Sequence, residues 1–495
     1  MSSTSGASDQ HIVSSTLSLG AVGVLTMVLG LAGTIIITRH FSIQDFGVFT
    51  LFLVLTSFLN QASTFDLELS VPKFMAGAKD EISREHFFGT AIVIRIGLIV
   101  LTSLLAWFGS PLVKTLFGQS LLPGFLLYVP LFYTVESFRT LLRAVLQGNL
   151  LFSKMAITDS IQSSINFILV ILVSRLNGNI TLLILARVLS SSLACIFALV
   201  FIPIRKRISF QMDVFKDLIK FGYPLQINDI LGFIYNRIDT VAVALFLGPV
   251  DIATYEVARK IPDYLRNLYD PFKSVYYPII SKHYSLDEKQ QAVEFMNDSI
   301  RFVAFVTLLG VAITTLFGKE ILQLLFTQKY SASAPVFVIL MFNLSISLIQ
   351  NVMGTTLVAM GDTQKPPIIN FFNAITSWLG SILLTPVFAL IGASIGNTIG
   401  TAVAGPLNRY FLRKRIDLKD APYLKPLILY FVWSGLVFMI KPELLLMKIA
   451  FLVAFIAACA FLSIVTMKDI AFLAEDSGIT SWPPFHKLGL WFSKL

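Results

Sequence analysis

Apolar residues in this chain come in long blocks, and the segments between them are short, polar and rich in Lys and Arg. Residues 13–38 and 444–466 are the plainest blocks, each longer than the ~20 residues with which a helix crosses a bilayer core. Read throughout, the pattern predicts about fourteen spans: 13–38, 46–70, 87–107, 121–144, 155–175, 180–203, 222–247, 252–273, 298–318, 332–359, 366–388, 391–412, 425–441 and 444–466. The expected fold class is an all-α integral membrane protein, with no soluble segment large enough for an enzyme domain.

The pattern also repeats. Phe41 to Phe49, after the first span, is echoed 206 residues later by Leu247 to Tyr255, after the seventh. Each copy has a tight turn, an Asp (Asp45, Asp251) able to cap the next helix, a small residue and an aromatic. The same offset relates Pro72 to Pro278, and Arg205-Lys206-Arg207-Ile208 returns as Arg413-Lys414-Arg415-Ile416 at 208. Three ordered matches predict a duplicated six-helix unit. Six is even, so the halves should be two like-oriented bundles around a central cavity. The expected organisation is a tail (1–12), a first bundle (13–203), a basic linker (204–221), a second bundle (222–412), a basic loop with two extra C-terminal helices (413–466), and a tail (467–495). Such an architecture suits a transporter.

Composition sharpens this picture. Of 495 residues, 55% are hydrophobic, only 14% are charged, and the mean hydropathy is +0.77; a soluble domain carries roughly 25% charged residues. The net charge of +9 does not point to nucleic acid, because the basic residues lie in loops between apolar blocks. With the amino terminus inside, inner loops and the tail hold 24 Lys and Arg, and outer loops and helix ends hold 7. That bias places both termini in the cytoplasm, although Arg39 after the first span runs locally against it. The first twelve residues lack Lys and Arg, so the first block reads as a transmembrane helix and not a cleaved signal. Cys195 and Cys459 sit in apolar spans as buried thiols. No Walker A loop, His-Glu-x-x-His or nucleophile elbow is present, so no cofactor, metal or ATP-driven step is expected of this chain alone.

Charges inside the membrane are costly and are candidates for function. They concentrate in spans 2 to 8, among them Asp66, Glu68, Arg95, Glu136, Asp159, Arg187, Asp229, Arg237, Asp239 and Glu256. In span 8, Arg259, Asp263, Arg266, Asp270 and Lys273 step by 4, 3, 4 and 3, which places them on one helical face. That stripe either lines a hydrated lumen or forms an internal ladder of ion pairs; spacing alone leaves both open. A carboxylate held in the membrane can carry a coupling ion, and Asp66, Asp229, Asp239 and Asp263 are the candidates.

Several of these segments resemble the multidrug/oligosaccharidyl-lipid/polysaccharide exporter superfamily, and most of all its O-antigen repeat-unit flippases. The carriers of the resemblance are Arg39 with Phe41 to Phe49, Phe221-Gly222-Tyr223-Pro224-Leu225 opening span 7, Asp239 leading into Leu247-Gly248-Pro249, Tyr255, and Pro278. The resemblance covers essentially the whole chain. It implies alternating access by two six-helix lobes and a polyprenyl-diphosphate-linked oligosaccharide as substrate, with membrane lipids and H+ or Na+ as further partners. A cationic lumen is typical of these flippases, which makes Arg237, Arg259, Lys260 and Arg266 the candidates for meeting the diphosphate. Over 229–273 six acidic residues stand among five basic ones, so the region is mixed in sign. The rival readings are a cation-coupled drug exporter of the same superfamily and an integral-membrane glycosyltransferase or polymerase. Span 1 lacks the Pro and Asp that many such exporters carry, and the outer loops are too short for the second rival.

Overall fold

The computed structural model describes residues 4–78, 80–118, 125–203, 209–267, 269–418, 421–462 and 464. The described residues are helical almost throughout. The sixteen α-helices are α1 (Thr4–His40), α2 (Ile43–Ala62), α3 (Leu67–Ala76), α4 (Glu81–Phe108), α5 (Ser110–Phe117), α6 (Phe125–Gly148), α7 (Phe152–Arg175), α8 (Ile180–Phe201), α9 (Met212–Phe246), α10 (Pro249–Asn267), α11 (Tyr269–Ser285), α12 (Lys289–Phe326), α13 (Ala334–Ala359), α14 (Lys365–Arg413), α15 (Leu424–Ile440) and α16 (Leu445–Phe461). Among the described residues, eight helical stretches are long and apolar enough to cross a membrane, and α15 and α16 are shorter apolar helices. Charged α6, α9 and α10 fall outside that set. The chain is a multi-pass membrane protein.

Most predicted spans correspond to one helix, but two positions differ. Span 2 is two helices, α2 and α3, separated by a break in which Phe65 (φ 45°) and Asp66 (φ 48°) are left-handed. Span 8 falls on α10 and α11, which flank residue 268, outside the described residues. The spans 366–388 and 391–412 are the two limbs of α14, which turns at Ala389 (φ 48°, ψ −132°). At the amino end, α1 begins at Thr4, inside the expected tail. The basic cluster Arg205 to Arg207 and the tail from 465 lie outside the described residues.

Local chemistry explains the helix starts. Ser42, and not Asp45, caps α2: its Oγ accepts from the Asp45 N–H at 3.0 Å and donates to the Asp45 carboxylate at 2.6 Å. In the second copy of the motif, Asp251 reaches back to the Gly248 N–H at 3.4 Å, the other half of a capping box. Asp80 and Asn179 cap α4 and α8 through the Ser83 and Leu182 amides, at 2.7 and 3.1 Å.

The chain forms two compact units. The first contains residues 1–260 with 325–329, and the second contains 261–324 with 330–495. The division falls within α10. In the first unit, the core of α3, α4, α6 and α9 is built on Leu67, Val71, Ile94, Leu141 and Leu218. Two close backbone approaches pin α9 and α10 to α2 and α3. A Cβ on Gly47 would come within 1.7 Å of the Pro249 carbonyl oxygen, and one on Gly222 within 1.9 Å of that of Phe65. Only glycine permits such contact. In the second unit, Tyr269 and Tyr276 of α11 hydrogen-bond Thr355 and Thr356 of α13, at 3.2 and 2.6 Å.

Candidate substrate cavity

Within the first unit a cavity of about 290 Å3 lies between α2, α6, α8, α9 and α10. α2 lines it with Thr50, Thr56, Ser57 and Asn60, giving one polar stripe at helical spacing. α6 adds Phe132, Tyr133 and Glu136, α8 adds Arg187, and α9 adds Phe233 and Arg237. Glu256 and Lys260, one turn apart on α10, complete the charged wall. Three basic and two acidic side chains face the space, so its lining carries a net charge of +1 when all are ionised.

Both carboxylates are held by ion pairs. Glu136 receives Arg139 at 2.6 Å and the Ser191 hydroxyl at 3.0 Å. Arg139 also lies 3.6 Å from Asp159, which in turn pairs with Arg143 at 2.9 Å. Glu256 pairs with Lys260 at 2.6 Å and with Arg237 at 3.6 Å. Arg237 is about one third exposed and Lys260 about one fifth, whereas Glu256 is buried. Two cations thus converge on one carboxylate at the cavity wall. The rest of the lining offers hydroxyls, an amide and the faces of three aromatic rings, a mixture suited to a polar ligand with both sugar and phosphate groups.

The candidate residues named from the sequence divide into groups. Arg237 and Lys260 line the cavity. Arg259 does not: it is 3% exposed and pairs with the fully buried Asp239 of α9, and it also donates to the Asn236 carbonyl. Asp239 further accepts from the Tyr255 hydroxyl at 2.8 Å and from the Thr240 amide at 2.7 Å. Arg266 and Asp263 belong to the second unit. Asp66 is buried at the α2–α3 break. Asp229 of α9 acts on it electrostatically and hydrogen-bonds Gln61. Arg187 and Glu136 stand in the sequence as intramembrane charges with no site assigned to them. Arg187 interrupts an otherwise apolar span, whereas Glu136 shares its span with Arg139 and Arg143.

A family model described as "Polysaccharide biosynthesis protein" matches residues 36–335. The chain belongs to the polysaccharide biosynthesis protein family. Among its family relatives, an "Uncharacterized membrane protein in cps region" of Klebsiella pneumoniae is 22% identical over 80% of this chain and 81% of its own. The "Capsular polysaccharide biosynthesis protein CapF" of Staphylococcus aureus is 21% identical over 59% of this chain and 74% of its own. Among solved structures, the lipid II flippase MurJ in an inward closed conformation has a TM-score of 0.72 at 17% identity, covering 90% of this chain and 98% of that one. An inward-facing multidrug resistance MATE family transporter of the MOP superfamily has a TM-score of 0.66 at 15% identity, covering 81% and 97%. At these identities the likeness establishes the fold. This family member has the MOP transporter fold expected from its resemblance.

Proposed function

We propose that the chain flips polyprenyl-diphosphate-linked oligosaccharide units from the inner to the outer leaflet of the cytoplasmic membrane for the assembly of surface polysaccharide. The observation that carries this reading is the cavity in which Arg187, Arg237 and Lys260 stand among hydroxyls, an amide and aromatic rings. A diphosphate needs cations that are hydrated enough to exchange ligands, and a sugar needs hydrogen-bonding groups and ring faces. The capsular relatives and the flippase fold favour this substrate class over a drug cation. The protein acts by alternating access and makes or breaks no covalent bond. Positive-inside bias supports cytoplasmic termini, and transport is coupled to a cation gradient.

The binding set in this reading is Arg187, Arg237 and Lys260, with Arg266 as a further candidate, while Arg259 holds α10 to α9. Export is tested by complementing a deletion strain and measuring which lipid-linked oligosaccharide accumulates on the cytoplasmic face. Arg237→Ala and Lys260→Ala should insert at normal abundance and fail to complement. Arg237→Lys should recover part of the activity, because charge survives without the bidentate geometry. Full complementation by an Arg187→Ala/Arg237→Ala/Lys260→Ala variant would refute the assignment.

A further inference from the structure

The α2–α3 break is a second polar centre, which adjoins the cavity lining at Tyr133. A broken helix at membrane depth persists only where protein answers its freed backbone and its charges. Here α9 does much of that work. Gly222, Gln226 and Asp229 step by 4 and 3 along one face of α9. Gly222 lies against the Phe65 carbonyl. Gln226 donates to the Gln61 carbonyl at 2.6 Å and accepts from the Thr64 hydroxyl at 3.1 Å. Asp229, one turn further, hydrogen-bonds the Gln61 side chain and lies within electrostatic reach of Glu68 and Asp66.

Behind the break stands Arg95 of α4. It is fully buried, its three guanidinium nitrogens make no hydrogen bond, and Glu68 lies 3.9 Å away. The Tyr133 phenol of α6 is the other group that acts on it. Lys73, further along α3, is turned onto the Phe221 ring of α9 at 3.6 Å. The centre therefore holds three carboxylates against one fixed guanidinium, a net charge of −2 when all are ionised. Two of those carboxylates come from opposite sides of a contact that Gly222 and Gln226 draw shut.

The geometry points to a proton-binding site shared by Asp66 and Asp229, in which the bound proton lets α9 close on the α2–α3 break. One O–H bond forms on either carboxyl and its hydrogen faces the other, so the repulsion across the contact disappears. Arg95 lies 3.9 Å from Glu68 and not beside the aspartate pair, so the fixed positive charge leaves the two aspartates to share the proton. The use of this site to drive transport rests on the flippase reading; the site itself does not.

Hydrogen exchange of the full-length protein, in detergent without substrate or sodium, tests the site. Amides of 61–70 and 222–230 should gain protection as pH falls, beyond the change in intrinsic exchange, in a one-proton transition. Asp66→Asn and Asp229→Asn should each hold the contact protected at every pH. Arg95→Gln removes the fixed positive charge and should move the midpoint up by about one pH unit, while Arg95→Lys should leave it near its original place. Protection that does not vary with pH, an unchanged transition in both Asn variants, or a transition driven by sodium at fixed pH would overturn the assignment. If an Asn variant fails to fold, Arg95→Gln decides, because an unmoved midpoint is incompatible with the site. A wild-type transition without export of lipid-linked sugar would sink the flippase reading and leave the proton site standing. Export with a contact insensitive to pH would do the reverse.

Discussion

Arg259→Ala should cost about 3–5 kcal/mol of stability, the usual effect of removing one partner from a buried ion pair. Side-chain exposure is 3% for Arg259 and 0% for Asp239, so solvent screening does not discount the figure. Without the guanidinium, Asp239 keeps the Tyr255 hydroxyl and the Thr240 amide, two neutral donors for a full negative charge. Asp239→Ala should cost a similar amount, because it removes the buried carboxylate that pairs with the Arg259 guanidinium, whose contacts with the Asn236 carbonyl and with the Thr240 hydroxyl at 3.4 Å are to neutral groups. Tyr255→Phe removes one hydrogen bond to a charged group and should cost less, about 1.5–3 kcal/mol. Against a typical total of about 5–15 kcal/mol, the two ionic deletions should lower both the melting temperature and membrane abundance. The double variant Asp239→Leu/Arg259→Met removes both charges together and should recover most of the loss. Thermal unfolding of the purified variants, abundance in membranes and export would be measured together. Single variants with wild-type melting and abundance but no export would refute the structural role and make Arg259 a substrate-binding residue.

Other expectations follow from the same geometry. Gly222→Ala places a methyl group within 1.9 Å of the Phe65 carbonyl oxygen, so it should hold α9 off the break and speed hydrogen exchange over 61–70; unchanged exchange would contradict the close contact. The Ser83 side-chain and backbone hydrogen bonds hold the Asp80 carboxyl below its usual value. Its capping contribution should therefore be present at neutral pH and lost only as pH falls through that depressed value, a small effect that Asp80→Asn should abolish in pH-dependent helix content or exchange at residues 81–84. Single cysteines introduced as Gln211→Cys and Asp417→Cys should escape an impermeant thiol reagent applied to intact cells; labelling of either would break the proposed cytoplasmic placement of both loops.

The helices were readable from the sequence because long apolar blocks record the thickness of the membrane in the chain itself. The break at Ser63–Asp66 left no such mark. No Gly or Pro stands there, and the polar stretch Asn60-Gln61-Ala62-Ser63-Thr64 is short enough to be read as part of one span running from Phe58-Leu59 to Leu67. Its left-handed residues are set by tertiary contact, with Gly222 coming from more than 150 residues away. The role of the charged stripe stayed open for a related reason. Helical spacing states which residues share a face but not what that face meets. Arg259 meets Asp239 on the preceding helix, while Lys260, one position on and 100° around the helix, reaches the cavity.

The duplicated motifs show where scaffold and chemistry part. The offset of 206 carries Pro72 of α3 onto Pro278 of α11, so each half has a proline inside the corresponding helix. Applied to the charged centre, the same offset carries Asp66 onto Phe272 and Glu68 onto Ser274. Arg95 falls on Arg301, which in the second unit pairs with the exposed Asp298. The helix proline was thus kept in both copies, while the carboxylates around it stand only in the first. A proline inside a helix can persist for packing alone, because neighbouring backbone and hydroxyl groups satisfy the freed carbonyl. Two aspartates and a buried arginine whose nitrogens make no hydrogen bond are costly to keep without a task. Because the second copy has no equivalent pair, the transition at the α2–α3 break should follow one proton per chain; a cooperative two-proton transition would require a second site that the corresponding residues of the other half do not provide.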